Sequence, residues 1–379
     1  MKKSLLITAP YLDKIGGTEI EAVTTAVYFH DSGYFDNIAI FSPCIADRSL
    51  YNGIVDARNI RFINYPAFFR YKFIITFNRL TKKIGISASF FESIFWFVIT
   101  LQFKYFFILT YPRSMYFFPI LKNRVKVKKY LAKITMWQFE LLPNNHMEFY
   151  NKLDTIIVFN ELQQKFWKIK NKMENTVFLD IMISNEKNLL EVNTNDFTNK
   201  KSFVFGYLGR ISREKNLEDM ILLVDFLNNK NNFTCCLIIQ GKGEENYILE
   251  LISLIEKLQL NDYVIFLNEF LPPMQTHTFF LKIDIFLVTS KNEGGPITAL
   301  EAVASGRMIM GYDIGAIKER FKAFPYIVNS NFSELCNSAL DFLKLEVDQK
   351  NSFVSDIREY YILNLSNKNK GSKLLELFK

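Results

Sequence analysis

Glu293 and Glu301 stand eight positions apart in the stretch SKNEGGPITALEAVASG, residues 290–306, with Gly294, Gly295 and Pro296 between them. A carboxylate repels phosphate but accepts hydrogen bonds from hydroxyls well. Between the two acids, glycine backbone runs into the first turn of a helix. Its unpaired N–H groups and positive dipole end make a seat for an anion. Glu301 lies about a turn and a half further on, roughly 8 Å along the axis at ~1.5 Å per residue. Acid, anion seat, acid matches a ligand with hydroxyls at both ends and phosphate between. A nucleotide sugar has that layout: sugar, diphosphate, ribose. Taken singly, each acid has a plainer explanation, Glu293 as a solvated loop residue and Glu301 as an early helical acid complementing the dipole.

The elements that would position these residues follow from the apolar pattern. IDIFLVTS reads as a buried strand, Lys291 to Gly295 as a loop, Pro296 suits a first helical turn, and Gly306 stops the helix. Upstream, SFVFGYLG, TCCLIIQG and YVIFLNE read as strands and NLEDMILLVDFLNN and EENYILELISLIEKLQL as helices; RMIMGYD follows as a further strand. The first half shows the same alternation, in SLLITAP, a helix over IEAVTTAVYFHDSG, then NIAIFSP, KYFFILT, AKITMWQF and DTIIVFN. Between the halves, NEKNLLEVNTNDFTNKKS, residues 185–202, is polar and aperiodic and reads as a surface linker. The tail from about Asp356 reads as helical, and neither internal repeats nor low-complexity blocks occur. Strand–helix alternation in both halves predicts an α/β chain of two Rossmann-like domains with parallel sheets, facing one another.

Ligands of such sheets bind at the carboxyl ends of strands. The loop GYLGRISREKN places Arg210 and Lys215 at one strand exit, where either also fits a solvated surface charge. IIQGKGEE places Gly241 and Gly243 at another, and Gly16 and Gly17 in DKIGGTE follow the first strand. The spacing of that last pair is not G-x-G-x-x-G, so no dinucleotide site is expected there, and an ordinary tight turn explains it as well.

EGGPITALEAVASG resembles the E-x7-E motif of retaining glycosyltransferases of family 4, which have the GT-B fold of two Rossmann-like domains about a central cleft. The resemblance covers nearly all of the second half and, more weakly, the first. It implies catalytic roles for Arg210, Lys215 and Glu293. Arg210 and Lys215 would clamp the donor phosphates and Glu293 would contact the donor sugar. It implies donor contacts at Glu301 through the ribose, at Gly294, Gly295 and Ile297 through phosphate and backbone, at Gly241 beside the base, and at Gly16 and Gly17. Arg213 is set aside. Residues 1–183 would bind the acceptor, 184–355 the nucleotide sugar, and the helix over 356–379 would return to the first domain. Relatives carry a histidine near the sugar in the first domain; here Gln138, Glu140 and His146 are the alternatives. Met308 and Ala316 stand where relatives have proline and glycine. The implied chemistry is transfer from a UDP- or GDP-sugar to a lipid-linked glycan in surface polysaccharide assembly, such as O-antigen or capsule. Configuration would be retained by front-face departure and attack, without metal or other cofactor. A same-fold epimerase and a non-catalytic membrane partner are the alternatives.

Composition agrees. The chain has 379 residues, 49% of them hydrophobic, enough for two ordinary α/β domains. Cys44, Cys235, Cys236 and Cys336 lack metal-binding spacing, and no D-x-D occurs. The apolar run at the start is too short for a signal peptide, so a cytoplasmic protein is expected. The formal net charge of +7 is unevenly spread: residues 68–133 hold thirteen Lys and Arg against Glu92 alone, interleaved with Phe, Tyr and Trp. Two readings fit that tract, an anionic membrane surface at the inner face and a core helix and strand with solvated basic ends. Ile94 to Thr110 is too short and polar to span a bilayer. Nucleic acid is not an expected partner, since no finger, helix-turn-helix or RNP pattern accompanies the charge.

Overall fold

The computed structural model describes residues 3–56, 58–67, 76–77, 80, 90–109, 127–133, 149–170 and 174–379. They form two α/β units, one from residues 1–182 with 370–379 and one from 183–369.

The first unit is built on a seven-stranded, wholly parallel sheet in the order β3-β2-β1-β4-β5-β6-β7. The strands are β1 (Ser4–Thr8), β2 (Asn37–Ser42), β3 (Ile60–Asn64), β4 (Tyr105–Ile108), β5 (Lys129–Lys133), β6 (Thr155–Val158) and β7 (Thr176–Phe178). Parallel strands covered on both faces must be apolar throughout, and every residue of SLLIT and TIIV is buried. Helix α1 (Gly17–Asp31) follows β1, α2 (Phe90–Gln102) precedes β4, and α3 (Glu161–Lys165) follows β6. Trp96 of α2 and Trp167 lie in one core with Phe41, Phe106 and Tyr130, and Trp96 Nε1 donates to the Tyr65 hydroxyl at 3.0 Å.

Two buried features bind the chain's end to this unit. Phe378 presents its ring to Phe29 at 5.5 Å, Phe35 at 5.5 Å, Tyr105 at 6.1 Å and Phe107 at 6.5 Å, all near edge-on, the geometry ring quadrupoles favour. Lys370 donates to the Ile181 carbonyl at 2.6 Å, and Lys133 donates to the Asp180 carbonyl at 3.0 Å and to the Glu21 carboxylate. Burial pushes the Glu21 carboxyl above its ordinary range, and the Lys133 ammonium opposes that shift.

The second unit has a six-stranded parallel sheet in the order β10-β9-β8-β11-β12-β13. Its strands are β8 (Phe203–Leu208), β9 (Cys235–Gln240), β10 (Val264–Leu267), β11 (Ile285–Val288), β12 (Met308–Tyr312) and β13 (Val328–Asn329). Its helices are α4 (Glu186–Glu191), α5 (Leu217–Asn231), α6 (Glu245–Lys257), α7 (Thr276–Phe280), α8 (Ile297–Ala304), α9 (Ile317–Phe321), α10 (Phe332–Lys344) and α11 (Val347–Tyr360). Helix α12 (Asn367–Phe378) carries the chain from this unit into the first. The helical tail therefore starts earlier than its sequence pattern indicates, at Val347, where a capping box of Glu346 and Gln349 opens α11.

The surface linker expected over 185–202 is corrected: this segment is an ordered part of the second unit. Leu189, Val192 and Phe197 are buried. Asn195 donates to buried Asp284 at 2.8 Å, and the buried Arg307 guanidinium donates to the Asn193 carbonyl at 2.9 Å. The segment's polar composition serves buried hydrogen-bond partners rather than water.

Truncating the ring in Phe378→Ala removes an apolar side chain that is 1% exposed. A loss of about 3–5 kcal/mol in urea unfolding of the first unit is expected, with faster proteolysis of the last helix. Unchanged unfolding and proteolysis would contradict this packing.

Candidate donor site in the second unit

The sheet order of the second unit reverses between β8 and β11, which pair directly, Ile285 with Phe205 and Phe286 with Gly206. Such a reversal opens a crevice at the carboxyl ends, because the helices after the two neighbouring strands lie on opposite faces. The β8 exit carries Arg210 and Lys215, and the β11 exit carries Glu293, Gly294 and Gly295.

The two loops are laced together. Thr289 Oγ1 contacts the carbonyl oxygens of Lys215 at 3.1 Å and Asn216 at 2.9 Å, and Lys291 N donates to the Glu214 carbonyl at 2.8 Å. The Lys215 ammonium is thereby held on the Glu293 carboxylate, with side chains only 13% and 18% exposed. Arg210 extends outward and pairs with Glu214 at 2.8 Å, and Glu214 lies 4.0 Å from Lys215. Arg213, set aside in sequence, points elsewhere: it pairs with Glu250 at 2.6 Å and lies 5.2 Å from the Tyr247 ring centre.

Gly241 and Gly243 are explained by close backbone approach. Gly241 has φ +158°, and a Cβ there would lie 1.7 Å from the Gly209 carbonyl oxygen; one on Gly243 would lie 2.0 Å from the Ile211 carbonyl oxygen. The β9 exit is thus pressed along the β8 exit, with Ile211 N donating to the Lys242 carbonyl at 2.9 Å. Buried Tyr207 supports the same loop from below through its hydroxyl, which donates to the Arg210 carbonyl at 2.7 Å.

Helix α8 begins at Ile297 with Pro296 as its N-cap, one position earlier than the first-turn place expected for that proline, and no side chain caps it. Its first turn follows the Gly294-Gly295 turn directly in the chain. Two residues that sequence reasoning missed fix this turn. Gly315, at φ +56°, leaves room for the carbonyl oxygens of Glu293 and Gly294, which a Cβ would approach to 2.8 and 2.4 Å. Buried Arg320 donates to the Pro296 carbonyl at 2.6 Å. The G-A-I-K-E-R run around them carries no signal of either role without a structure.

Glu301 lies in the second turn of α8 and is buried beside Thr276, whose hydroxyl is 3.3 Å from Oε1. Burial pushes its carboxyl up to about 8, against a smaller lowering by the Thr276 hydrogen bond. A carboxyl raised that far is mostly protonated at pH 7. Glu293 and Glu301 are therefore unlike: one is paired with an ammonium, the other is buried against the Thr276 hydroxyl with its carboxyl raised.

Gly16 and Gly17 belong to the first unit. Gly16 is extended, with φ −148° and ψ 170°, so no left-handed turn requires glycine. A Cβ there would meet the Glu19 carboxylate at 2.4 Å, and that carboxylate accepts from Tyr11 N at 3.2 Å. Gly16 thus makes room for Glu19 to fold back onto the loop after β1. Gln138, Glu140 and His146, the alternatives to the relatives' histidine, lie outside the described residues.

The Glu301 carboxyl makes stability pH-dependent. Because its folded-state value is raised, its contribution is full below about pH 4.5, is lost as pH rises through about 8, and is flat beyond. Between pH 5.5 and 9, Glu301→Gln should lose less stability than the unsubstituted protein by a few kcal/mol, on the order of 5 at most. Urea midpoints across that range measure the difference; parallel curves would refute it.

Comparison with known proteins places these observations. Residues 193–359 match the family Glycosyl transferases group 1. A stretch of 106 residues is 29% identical to alpha-monoglucosyldiacylglycerol synthase of Streptococcus pneumoniae, covering 28% of this chain and 23% of that protein. The match thus spans less than a quarter of that relative's length. Among solved structures, a glycosyltransferase from Rickettsia africae superposes with a TM-score of 0.73 at 15% identity, covering 100% of this chain and 98% of the other. Anabaena HepE in complex with UDP and glucose superposes with a TM-score of 0.72 at 12% identity, covering 99% of each chain. The fold is GT-B, two Rossmann-like α/β units with parallel sheets, and its residues 193–359, which hold the Lys215–Glu293 pair, match the glycosyl transferases of group 1.

Proposed function

We propose that this protein is a retaining glycosyltransferase that moves a sugar from a UDP- or GDP-sugar to a lipid-linked glycan at the inner membrane face, in surface polysaccharide assembly. The observation that carries the reading is the Lys215–Glu293 pair at the switch between β8 and β11, next to the uncapped start of α8. A diphosphate entering there exchanges the Lys215 ammonium away from Glu293. Lys215, with Arg210 and the N–H groups of α8, then meets the charge that accumulates on the departing nucleotide. Glu293, released, accepts from the sugar's hydroxyls, and Glu301 engages the ribose hydroxyls without a like-charge penalty while it is protonated. The domain of residues 184–355 holds the donor, that of residues 1–183 takes the acceptor, with Gly16 and Gly17 at its loop, and Gly241 and Ile297 line base and phosphate. The reading assigns no metal to the reaction. Support for a nucleoside-diphosphate sugar comes from HepE, solved with UDP and glucose. Support for a lipid acceptor comes from the name of the matched streptococcal synthase.

Catalysis in this scheme is charge stabilisation plus orientation. Lys215→Ala should lower turnover about 100-fold or more in an assay of sugar transfer, since removal of one donor to a developing charge costs on that scale. Near-normal turnover with tight donor binding would remove the mechanism. The substrate class is read by incubating purified protein with a panel of sugar nucleotides and a lipid acceptor extract and following mass gain. Conversion of the donor without acceptor would make it an epimerase, and no binding of any sugar nucleotide would leave a non-catalytic partner protein.

A further inference from the structure

Helix α2 is apolar on two opposite sides, and only one of them is buried. Trp96, Ile99 and Thr100 pack inward. Ile94, Phe97, Val98 and Leu101 are 48%, 49%, 45% and 50% exposed, at the i, i+3, i+4, i+7 spacing that makes one continuous stripe along a helix. Four large half-exposed side chains in one row are unlike the scattered apolar residues of an ordinary surface. The helix has 13 residues, so it is about 20 Å long, and no described helix is long and apolar enough to cross a membrane.

The end of the stripe is basic. Ser4 Oγ donates to the Gln102 carbonyl at 2.9 Å, Lys104 N donates to the Ser4 carbonyl at 3.0 Å, and Lys128 N donates to the Lys104 carbonyl at 2.7 Å. These bonds gather Lys104 and the exposed Lys128 at the carboxyl end of α2. The exposed Arg61 joins them, its guanidinium 5.7 Å from the ring centre of Phe103. Of the other cations in the 68–133 tract, Lys129 and Lys133 are described, and Lys133 is buried on Glu21 rather than offered to a partner; the remainder lie outside the described residues.

We propose that the Ile94–Phe97–Val98–Leu101 stripe of α2 is the seat for an anionic phospholipid bilayer, with the helix lying in the interface plane and Arg61 and Lys128 against lipid phosphates. The choice of partner rests on the lipid-acceptor reading above, while the stripe and its cations are independent of it. A protein partner would be served by the apolar row alone. The basic cluster at its end fits a surface of phosphates. Apolar burial supplies most of the attachment and the cations confer preference for anionic lipid, so binding should weaken but persist as salt rises.

The test is co-sedimentation of the full chain with vesicles of equal parts phosphatidylglycerol and phosphatidylcholine, against phosphatidylcholine alone. Anionic vesicles should pellet the protein. Phe97→Asp with Leu101→Asp should lower partitioning about tenfold or more, without a change in melting temperature. Arg61→Glu with Lys128→Glu should remove the preference for anionic vesicles. An environment-sensitive dye on a cysteine introduced by Val98→Cys should shift to the blue on vesicle addition. Absence of binding at low salt, an unchanged partition of the aspartate variant, or a dye that stays in water would each overturn the proposal. So would a dimer of the unsubstituted protein that the aspartate variant dissolves, since the stripe would then be a protein interface. Titration with a panel of UDP- and GDP-sugars separates the two readings: vesicle binding without binding of any of them would leave the docking face standing and sink the donor site.

Discussion

Lys215 and Glu293 are 78 residues apart, and the parallel pairing of β8 with β11 makes them neighbours. The rest of the candidate site depends on that pairing. Once the strands lie side by side, their exit loops must share one edge, and Thr289 and Lys291 tie the two together through backbone carbonyls. An ion pair formed this way is largely withdrawn from solvent. Breaking it leaves a poorly solvated charge unless a ligand supplies the replacement. The pair joins the exit loops of β8 and β11 by one largely desolvated charge contact.

Close approach of bare backbone is the second constraint. Gly241, Gly243 and Gly315 stand where a Cβ would collide with a carbonyl oxygen of an adjacent loop, at distances between 1.7 and 2.8 Å. Four strand-exit loops, those after β8, β9, β11 and β12, approach one another in this way, and α8 starts beside them without a side-chain cap. Gly16 differs in kind: its space is taken by the Glu19 carboxylate, a local folding requirement of the first unit.

Buried charge is used in two further ways. Around Glu21, Lys133, Asp180 and Lys370 it joins the chain's last segment to the first sheet. Around Arg307 it does the opposite of a salt bridge. The guanidinium donates to four carbonyl oxygens, of Phe280, Asn193, Ser305 and Gly306, and desolvation lowers it to about 10. That hydrogen bonding is why residues 185–202 look like a linker in sequence and are part of the second unit in space. Asparagine and lysine there face buried acceptors and donors, and composition does not distinguish a polar residue facing water from one facing a buried partner.

Much of the architecture was legible from local pattern. Continuous apolar runs such as SLLIT and TIIV are what parallel strands buried on both faces require, and Gly306, at φ +68°, ends α8 where glycine predicted. The residue types and spacing of Glu293, the two glycines and Glu301 were equally local, because one loop and one helix carry them all. Only tertiary structure decided that Arg213 turns away to Glu250 while Lys215 turns in, that Glu301 is buried enough to hold its proton, and that Gly315 and Arg320 brace the α8 turn. Periodicity reports which side of an element is apolar, whereas burial, charge partners and backbone approach are set by what comes from elsewhere in the chain.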